Sequence, residues 1–333
     1  MSVSASPVAP HELIWGITTS VVSARALHLV ATLRVADHID AEPVGAGELA
    51  SLCGVDAGAL DRVLRLLVTQ GIFARQGGAY VHTDASRLLR SDHPMSMSGY
   101  ARMMGLPVFW ASFAHMDHSL RTGAPSINLV DPGGVWAYLQ SHPDDAGVFR
   151  EAMVAKAQAD IAAILGGYDF GAFPTIADIG GGRGHLLEAL LEANPSARGV
   201  LFDLPGVIGA LDPAPQRLTR TAGDFFADPL PQADAYILME VLHDWGDAEA
   251  SKILGAVHEA APAGSTLLII ENVLGDVATD PRGHILDIIM LTFTGGRERT
   301  VDQFDILLKE AGFRRRSVVE TSGPMRIVEA VAV

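Results

Sequence analysis

The residues with the clearest chemical potential form a glycine-rich loop preceded by an acid, DIGGGRGH at 178–185. The loop follows a short apolar run and precedes a helical pattern, which places it at the crevice where open α/β sheets bind ligands. A phosphate-binding loop would end in Gly-Lys-Ser/Thr, and a dinucleotide fingerprint would need glycine where His185 stands. The loop therefore favours a nucleoside ligand without a pyrophosphate.

S-adenosylmethionine is such a ligand, with a nucleoside, a positive sulfonium and a zwitterionic amino acid tail. Asp178 can face the ammonium of that tail. Asp203 ends the second strand about 20 residues past the loop, where a carboxylate accepts hydrogen bonds from ribose hydroxyls. Asp224 ends the third strand and can accept from the adenine amino group, while Phe225 or Phe226 packs on the ring. The alternative is that these acids only cap helices or end turns.

A candidate general base, His243, follows the fourth strand in the block VLHDW. A phenol titrates near pH 10, so its attack on a methyl sulfonium at neutral pH benefits from an imidazole base. Glu271, which ends the fifth strand, and Glu298 are predicted to orient the imidazole and stabilise its protonated form. The donor is already activated, so the chemistry requires no enzyme nucleophile and no metal. The alternative is a structural histidine.

Composition limits the other functions that the chain could have. Of 333 residues, 49% are hydrophobic and 19% are charged, which indicates a folded protein. The net charge of −15 argues against nucleic acid as a partner. No apolar run approaches the roughly 18–20 residues of a membrane span, and the N-terminus lacks a secretory pattern, so we expect a cytoplasmic protein. The single cysteine, Cys53, excludes an internal disulfide and a cysteine-rich zinc site.

The N-terminal part of the chain has helical patterns. Apolar spacing predicts a helix from Glu12 to Ala36 and a second helix in GELASLCGV, and Asp56 is a predicted N-cap of a third helix that Gly71 ends. Two short strands around Gly77-Gly78 follow. This outline is that of a winged helix. Without a basic cluster, it favours a structural or dimer-forming use over DNA binding.

From Phe173 onward, nearly continuous apolar strands alternate with helices. This rhythm predicts a parallel sheet covered on both faces. The stretch GDVATDPRGH at 275–284 is predicted as a loop, and the chain closes with a helix and two antiparallel strands. His115 and His118 are spaced for a helical metal pair with Asp117, but a solvated helix face is the favoured interpretation.

Taken together, the blocks DIGGGRGH, LFDLP, GDFF, VLHDW, IIENVL and DIIMLTFTGGRERT, in this order and spacing, resemble the two-domain S-adenosylmethionine-dependent O-methyltransferases. That family includes plant caffeic acid and flavonoid enzymes, acetylserotonin methyltransferase and bacterial natural-product tailoring enzymes, such as those of antibiotic biosynthesis. The resemblance implies an α/β Rossmann-like methyltransferase domain with helices on both sheet faces, preceded by a mainly helical winged-helix dimerisation domain. The implied boundaries are 1–95 for dimerisation, 96–165 for a helical linker with acceptor-pocket residues, and 166–333 for the cofactor-binding catalytic domain.

The resemblance also implies roles for individual residues. His243 would be the base between Glu271 and Glu298. The implied cofactor-binding residues, including those already assigned from the chemistry, are Asp178, Gly180, Gly182, Asp203, Leu204, Asp224, Phe225, Phe226, Met239 and Trp245, with Trp245 against the adenine. The implied acceptor-binding residues are Phe149, Met153, Met290 and Phe293. Met104, Trp110 and Asp287 are further predicted acceptor-binding residues, although each aromatic or Met side chain could equally be plain core packing. A homodimer is implied, with Trp15 near the partner's acceptor pocket.

One departure from the family concerns the fourth-strand block. The plant enzymes have a cofactor-contacting lysine where Met239 stands, so a direct cationic contact is expected to be absent here. The predicted function is transfer of a methyl group to a hydroxyl of a small aromatic acceptor. The alternatives are a fold redirected to N- or C-methylation, decarboxylation or hydroxylation, and a winged-helix regulator that senses a small ligand.

Overall fold

The first of two compact units contains the N-terminal helices and the wing. A computed structural model of the protein describes residues 9–275 and 281–333. The chain divides into unit 1, Met1–Trp110 with Pro143–Ala155, and unit 2, Ala111–His142 with Lys156–Val333. The N-terminal elements are the helices α1 Pro10–Thr32, α2 Ala46–Cys53, α3 Ala57–Thr69, α4 Asp84–Arg87 and α5 Ser98–Met104, and the strands β1 Phe73–Gln76 and β2 Ala79–His82.

Local sequence signals explain the ends of these elements. Asp56 caps α3, because its carboxylate accepts a 2.7 Å hydrogen bond from the Ala59 N–H. Gly77 and Gly78 both have positive φ in the β1–β2 turn, as a tight hairpin requires. The predicted first helix begins two residues too late and extends four residues past the observed C-terminal end. It ends at Thr32 because Arg34 adopts a left-handed conformation, and a short 3-10 helix, Val35–His38, follows.

Helix α1 has an exposed apolar surface. Its large apolar side chains that are at least half exposed are Leu13, Ile14, Trp15, Ile17, Val21 and Val22. Within the described residues, α1 is the one helix long and apolar enough to pass a length-and-composition test for a membrane span. The sequence analysis expected no apolar segment of this length, because the polar run Thr18–Ser20 interrupts the apolar stretch. An unburied apolar helix face is also what a protein partner covers.

Unit 2 is built around a seven-stranded sheet with the order β10-β11-β7-β6-β3-β4-β5. The strands β7, β6, β3, β4 and β5 run parallel, whereas β11 is antiparallel to both β7 and β10. The strands are β3 Thr175–Ile179, β4 Arg198–Asp203, β5 Leu218–Ala222, β6 Ala235–Met239, β7 Thr266–Glu271, β10 Phe313–Glu320 and β11 Arg326–Ala332, with a separate parallel pair β8 Val273–Leu274 and β9 Arg299–Thr300.

A buried apolar cluster covers each face of this sheet. The remaining helices of the chain are α6 Pro107–Ala114, α7 Met116–Thr122, α8 Gly134–Ser141, α9 Pro143–Gly167, α10 His185–Ala193, α11 Pro205–Ile208, α12 Asp247–Ala260, α13 Pro281–Phe293 and α14 Val301–Glu310. The predicted parallel sheet with covered faces is confirmed. Because parallel strands end at one edge, residues that follow β3, β4, β5, β6 and β7 collect there.

Two sequence predictions need correction in unit 2. The fourth strand stops at Met239 rather than continuing to Leu242, because Glu240 has φ 52° and turns the chain into a 3-10 helix, Leu242–Asp244. In the predicted loop 275–284, residues 281–284 begin α13, with proline at a position that favours helix initiation. Residues 276–280 of that stretch, like residues 1–8, lie outside the described residues.

Candidate active site

The glycine loop leaves β3 at the carboxyl edge of the sheet. Gly180, Gly182 and Gly184 have φ values of 71°, 59° and 82°, which favour glycine, and Gly184 is the N-cap of α10. Gly181, which was not among the predicted site residues, is equally constrained. A Cβ there would lie less than 3.0 Å from the Asp178 carboxyl group. The loop is therefore bare of side chains where a ligand would approach its backbone.

Asp178 is the buried acid at the base of this loop. It is 1% exposed, and its Oδ1 has no hydrogen-bond partner among the described residues. Burial, and then the neighbouring Asp203 carboxylate, raise the pKa of Asp178 to about 7. A buried carboxylate oxygen without a donor suits a ligand that brings a cation or an N–H group.

Asp203 joins the glycine loop to the end of β4. Its Oδ2 accepts a 2.8 Å hydrogen bond from the Gly182 N–H, and its Oδ1 accepts a 2.7 Å bond from the Leu204 N–H. Burial raises the pKa of Asp203, and these two N–H groups act in the opposite direction. Each oxygen keeps a further lone pair, so the carboxylate can still accept from ribose hydroxyls. The exposed Leu204 side chain lies beside it.

Three aromatic rings form the next part of this edge. The Phe226 and Trp245 ring centroids are 4.8 Å apart, and those of Phe225 and Trp245 are 6.0 Å apart, both edge-to-face. The Phe225 ring also approaches Gly180. Asp224 accepts a 2.9 Å hydrogen bond from the Phe226 N–H, so it also shapes the local turn, as the alternative interpretation expected. The structure therefore brings the predicted residues Asp224, Phe225, Phe226 and Trp245 close together.

His243 is held within a group of carboxylates. It is 4% exposed, and its Nδ1 lies 2.9 Å from Glu298 Oε1. The Glu271 carboxylate contacts the backbone instead, since its Oε1 accepts a 3.0 Å hydrogen bond from the His243 N–H. Asp244, not included in the predicted site, lies with Oδ1 3.8 Å from Nε2, beyond hydrogen-bond distance. Glu298 therefore orients the ring, and Glu271 holds the chain that carries it.

These acids dominate the electrostatics of the imidazole. Burial alone lowers the pKa of His243, but the carboxylates of Asp244, Glu298 and Glu271 outweigh it and raise the value to about 10. Burial raises the pKa of Asp244 to about 6 and that of Glu271 to about 7. Without a bound ligand, the imidazole is therefore protonated at neutral pH, and its protonated form is strongly stabilised.

A buried ion pair stands at the end of β6, where no cation was expected. Glu240 pairs with Lys156 of α9, and both side chains are largely buried. The Lys156 and His243 charges outweigh burial and lower the pKa of Glu240. Met239, the preceding residue, packs against the adjacent apolar cluster. The sequence missed this pair because its members are separated by 84 positions.

The predicted acceptor-binding residues fall in different units. Met104, Trp110, Phe149 and Met153 belong to unit 1, where Trp110 lies beside the ring of His28. Met290, Phe293 and Asp287 lie on α13 in unit 2. The Asp287 carboxylate accepts a 3.0 Å hydrogen bond from the Glu298 N–H, so it supports the site's glutamate rather than standing free for a substrate. Phe293 is buried against Phe113, which fits the core-packing alternative.

Metal ligation has no geometric basis in the described residues. No group of three or more His, Cys, Asp or Glu side chains in 9–275 and 281–333 is arranged to hold an ion. His115, one of the two histidines spaced for a metal pair, is an exposed residue at the start of α7.

Two protein-family models match the chain. The family model for the O-methyltransferase domain matches residues 113–314, and that for the O-methyltransferase dimerisation domain matches residues 15–92. The chain belongs to the O-methyltransferase family. It is an S-adenosylmethionine-dependent O-methyltransferase, and the predicted fold class is confirmed. The winged-helix outline is accordingly that of a dimerisation domain.

Individual relatives extend over nearly the whole enzyme. An O-demethylpuromycin-O-methyltransferase from Streptomyces alboniger is 35% identical, covering 96% of this chain and 88% of the relative. An 8-amino-8-demethylriboflavin N,N-dimethyltransferase from Streptomyces davaonensis is 36% identical, covering 86% and 85%. The solved structure of NcsB1 from neocarzinostatin biosynthesis, in complex with S-adenosylmethionine and 2-hydroxy-5-methyl naphthoic acid, has a TM-score of 0.79 and 36% identity, covering 94% and 96%.

Proposed function

We propose that the enzyme transfers the methyl group of S-adenosylmethionine to a hydroxyl of a small phenolic or enolic acceptor, with His243 as the general base. The main structural support is the hydrogen bond between His243 Nδ1 and Glu298 Oε1. A carboxylate on Nδ1 fixes the tautomer with its proton there and leaves the lone pair of Nε2 for the acceptor. It also stabilises the imidazolium that forms when the proton moves.

We propose that the cofactor lies along the edge formed by the ends of β3, β4, β5 and β6. Asp178 would face the ammonium, Asp203 the ribose hydroxyls and Asp224 the adenine. The rings of Phe225, Phe226 and Trp245 would pack on the base, beside the backbone of Gly180 and Gly182. The unpartnered oxygen of Asp178 and the bare glycine loop support this placement. When bound, the cofactor supplies a methyl group that its positive sulfonium has already activated, so no metal is needed.

The base must become neutral before it can act. Its pKa of about 10 in the ligand-free protein means that few molecules hold a neutral imidazole at pH 7. A positive charge bound nearby would lower that pKa and so promote loss of the proton. In the proposed step, the acceptor oxygen bonds to the methyl carbon as the carbon–sulfur bond breaks, and His243 Nε2 takes the hydroxyl proton. The products are a methyl ether and S-adenosylhomocysteine.

We infer that the enzyme is a homodimer that acts in natural-product biosynthesis. The dimerisation-domain match at 15–92 and the exposed apolar side chains of α1 support a second copy as the partner. The same match favours a protein surface over a bilayer as the environment of α1, which agrees with a cytoplasmic enzyme. Relatives named for aromatic acceptors in antibiotic pathways support a planar aromatic substrate.

N-methylation is the second candidate, since one relative of 36% identity is named as an N,N-dimethyltransferase. Product analysis separates the two candidates. We would incubate the enzyme with S-adenosylmethionine and matched pairs of hydroxyl and amino aromatics, and then locate the added methyl group by mass spectrometry. O-methylation of the hydroxyl member alone supports the proposal, whereas methylation of the amino member alone contradicts it.

The base assignment is tested by replacing the imidazole. His243→Ala or His243→Gln should lower turnover by roughly 100- to 10,000-fold, because general-base catalysis is lost, while S-adenosylmethionine still binds. Turnover would be measured under saturating cofactor, and binding by calorimetry. The matched control is His115→Ala, at an exposed position of unit 2, which should behave as wild type. Unchanged turnover in the His243 variants would remove the base from the mechanism.

A further inference from the structure

Arg299 is a fully buried arginine in the short strand β9. Its side chain is 0% exposed, and its guanidinium donates to three different residues. Nη1 donates to the Leu242 carbonyl at 2.8 Å, and Nη2 donates to the Trp245 carbonyl at 2.8 Å. Nε and Nη2 both donate to Asp247 Oδ1, at 3.0 and 2.8 Å. The rigid fork is thus directed almost entirely at one turn of the backbone.

That turn is the one that carries His243. The two carbonyls that Arg299 holds belong to residues on either side of the histidine, and Asp247 begins the next helix, α12. The residue before Arg299 is Glu298, whose carboxylate meets the imidazole. Two consecutive residues therefore fix both the ring, through Glu298, and the backbone beneath the ring, through Arg299.

Arg299 has one carboxylate among its hydrogen-bond partners, and the Glu271 carboxylate also interacts with its charge. Its carboxylate partner, Asp247, has a side chain that is 53% exposed and is shared with Arg297. Burying a guanidinium is costly unless its hydrogen bonds are well satisfied, and an apolar side chain of similar volume would often stabilise a fold as well. The directed bonds to two carbonyls thus point to a geometric role for the charge.

We propose that Arg299, supported by Asp247, is a positioning residue that holds the Leu242–Trp245 turn so that His243 is aligned for proton transfer. This inference rests on the proposed role of His243 as the base. Arg299 acts through the turn, and a shift of about 1 Å in a reacting group can cost about 100-fold in rate. Its effect should therefore fall on kcat far more than on binding.

The test compares Arg299→Met and Arg299→Lys with wild type by kcat, acceptor KM, cofactor affinity and thermal unfolding. Arg299→Met should lower kcat about 100-fold, with smaller changes in KM and cofactor affinity. Arg299→Lys should recover part of kcat, since an ammonium can still donate to one carbonyl but lacks the fork. Arg315→Met is the matched control, because Arg315 also makes a two-bond pair with an aspartate, Asp305, elsewhere in unit 2.

A double-mutant cycle separates positioning from general damage to the fold. In the His243→Ala background, adding Arg299→Met should change the residual single-turnover rate by less than about threefold, because the base is already gone. Equal losses in both backgrounds, or wild-type kcat in Arg299→Met, would overturn the proposal. If His243→Ala alone keeps wild-type turnover, the base assignment fails. This outcome does not depend on any Arg299 variant, so the two failures can be distinguished.

Asp247→Asn keeps the proposal testable if the Arg299 variants do not fold. Its half-exposed side chain tolerates the change, and the arginine stays in place with a weaker partner. We expect kcat to fall about 3- to 10-fold, in keeping with loss of a charge-assisted hydrogen bond, while Asp305→Asn, the matched control, leaves kcat unchanged. Wild-type kcat in folded Asp247→Asn would count against the proposal.

Discussion

Carboxylates have two different kinds of surroundings along the edge where the parallel strands end. Near β3 and β4, Asp203 accepts hydrogen bonds from two backbone N–H groups, and Asp178 Oδ1 accepts none. No cation pairs with either carboxylate among the described residues. Near β6 and β7, the carboxylates of Glu271 and Glu298 already have a partner in His243. The first pair has room for a positive ligand under the proposed function, and the second stabilises the protonated form of His243.

The difference shows how similar residues acquire different roles from their surroundings. Burial raises the pKa of Asp178 and of Glu271 to about 7 in each case. Only at the second position does an adjacent imidazole oppose that effect. Changes to the two groups should therefore separate binding from turnover.

The largest expected effect is that of Glu298→Gln. The amide keeps a hydrogen-bond acceptor for Nδ1 but removes a charge that raises the pKa of His243, so the imidazole loses its proton at lower pH. We expect the maximal kcat to fall about 100-fold. In wild type, kcat/KM should rise with pH above neutrality, and in the variant this rise should move to lower pH. Glu320→Gln, in an exposed ion pair with Arg326, is the control, and an unshifted profile in Glu298→Gln would contradict the role of the carboxylate.

Gly296→Ala should disturb the surroundings of His243 more than those of Asp178 and Asp203. A Cβ there would lie less than 3.0 Å from backbone atoms of His243, Asp244 and Trp245, so the turn must move. We expect a loss of about 1–3 kcal/mol in the free energy of unfolding and a lower kcat, with a smaller loss of cofactor affinity, because the added Cβ does not approach Asp178 or Asp203. Denaturant unfolding and calorimetry measure the two quantities.

The control for that substitution is Gly255→Ala in α12, where no atom lies within 4 Å of an added Cβ. It should stabilise the protein by about 0.5–1 kcal/mol, because alanine restricts the unfolded chain and favours helix. A loss of cofactor affinity in Gly296→Ala equal to its loss of kcat would show that the two carboxylate groups are not separable.

The smallest expected effect on function is that of Asp178→Asn. The pKa of about 7 means that Asp178 ionises as pH rises from 6 to 8, so the affinity for S-adenosylmethionine should increase over that range. The amide should abolish this increase and weaken binding about tenfold at pH 8. Methylthioadenosine, which lacks the amino acid tail, is the control ligand, and its affinity should not depend on pH through this group. The same pH dependence for both ligands would place the ammonium elsewhere.

The same pKa has a consequence for folding. Because the folded-state pKa of Asp178 is raised, its contribution to stability is present below the unfolded value near 4 and is lost as pH rises through about 7. Asp178→Asn should therefore flatten the decline in unfolding free energy between pH 4 and pH 7. Denaturant titrations of the ligand-free protein at several pH values measure this.

The positions of the proposed cofactor-binding residues could largely be predicted from local sequence. A glycine loop after a strand, and acids at the ends of the next two strands, meet because parallel strands share one edge. The contacts around His243 were harder to derive. Arg299 and Glu298 reach the histidine's turn from more than 50 positions away, and the pairing of Lys156 with Glu240 spans 84. Such contacts depend on how turns and helices close in three dimensions, which periodicity does not specify.

The conformation of Glu240 has a consequence for substitutions at this position. A residue with a side chain at φ 52° costs roughly 1–2 kcal/mol relative to glycine, and Lys156 holds it there from α9. Glycine at 240 would relieve that strain, but it would also remove the carboxylate that pairs with the ammonium of Lys156. Relief of backbone strain and loss of a buried ion pair therefore oppose each other in any change at position 240.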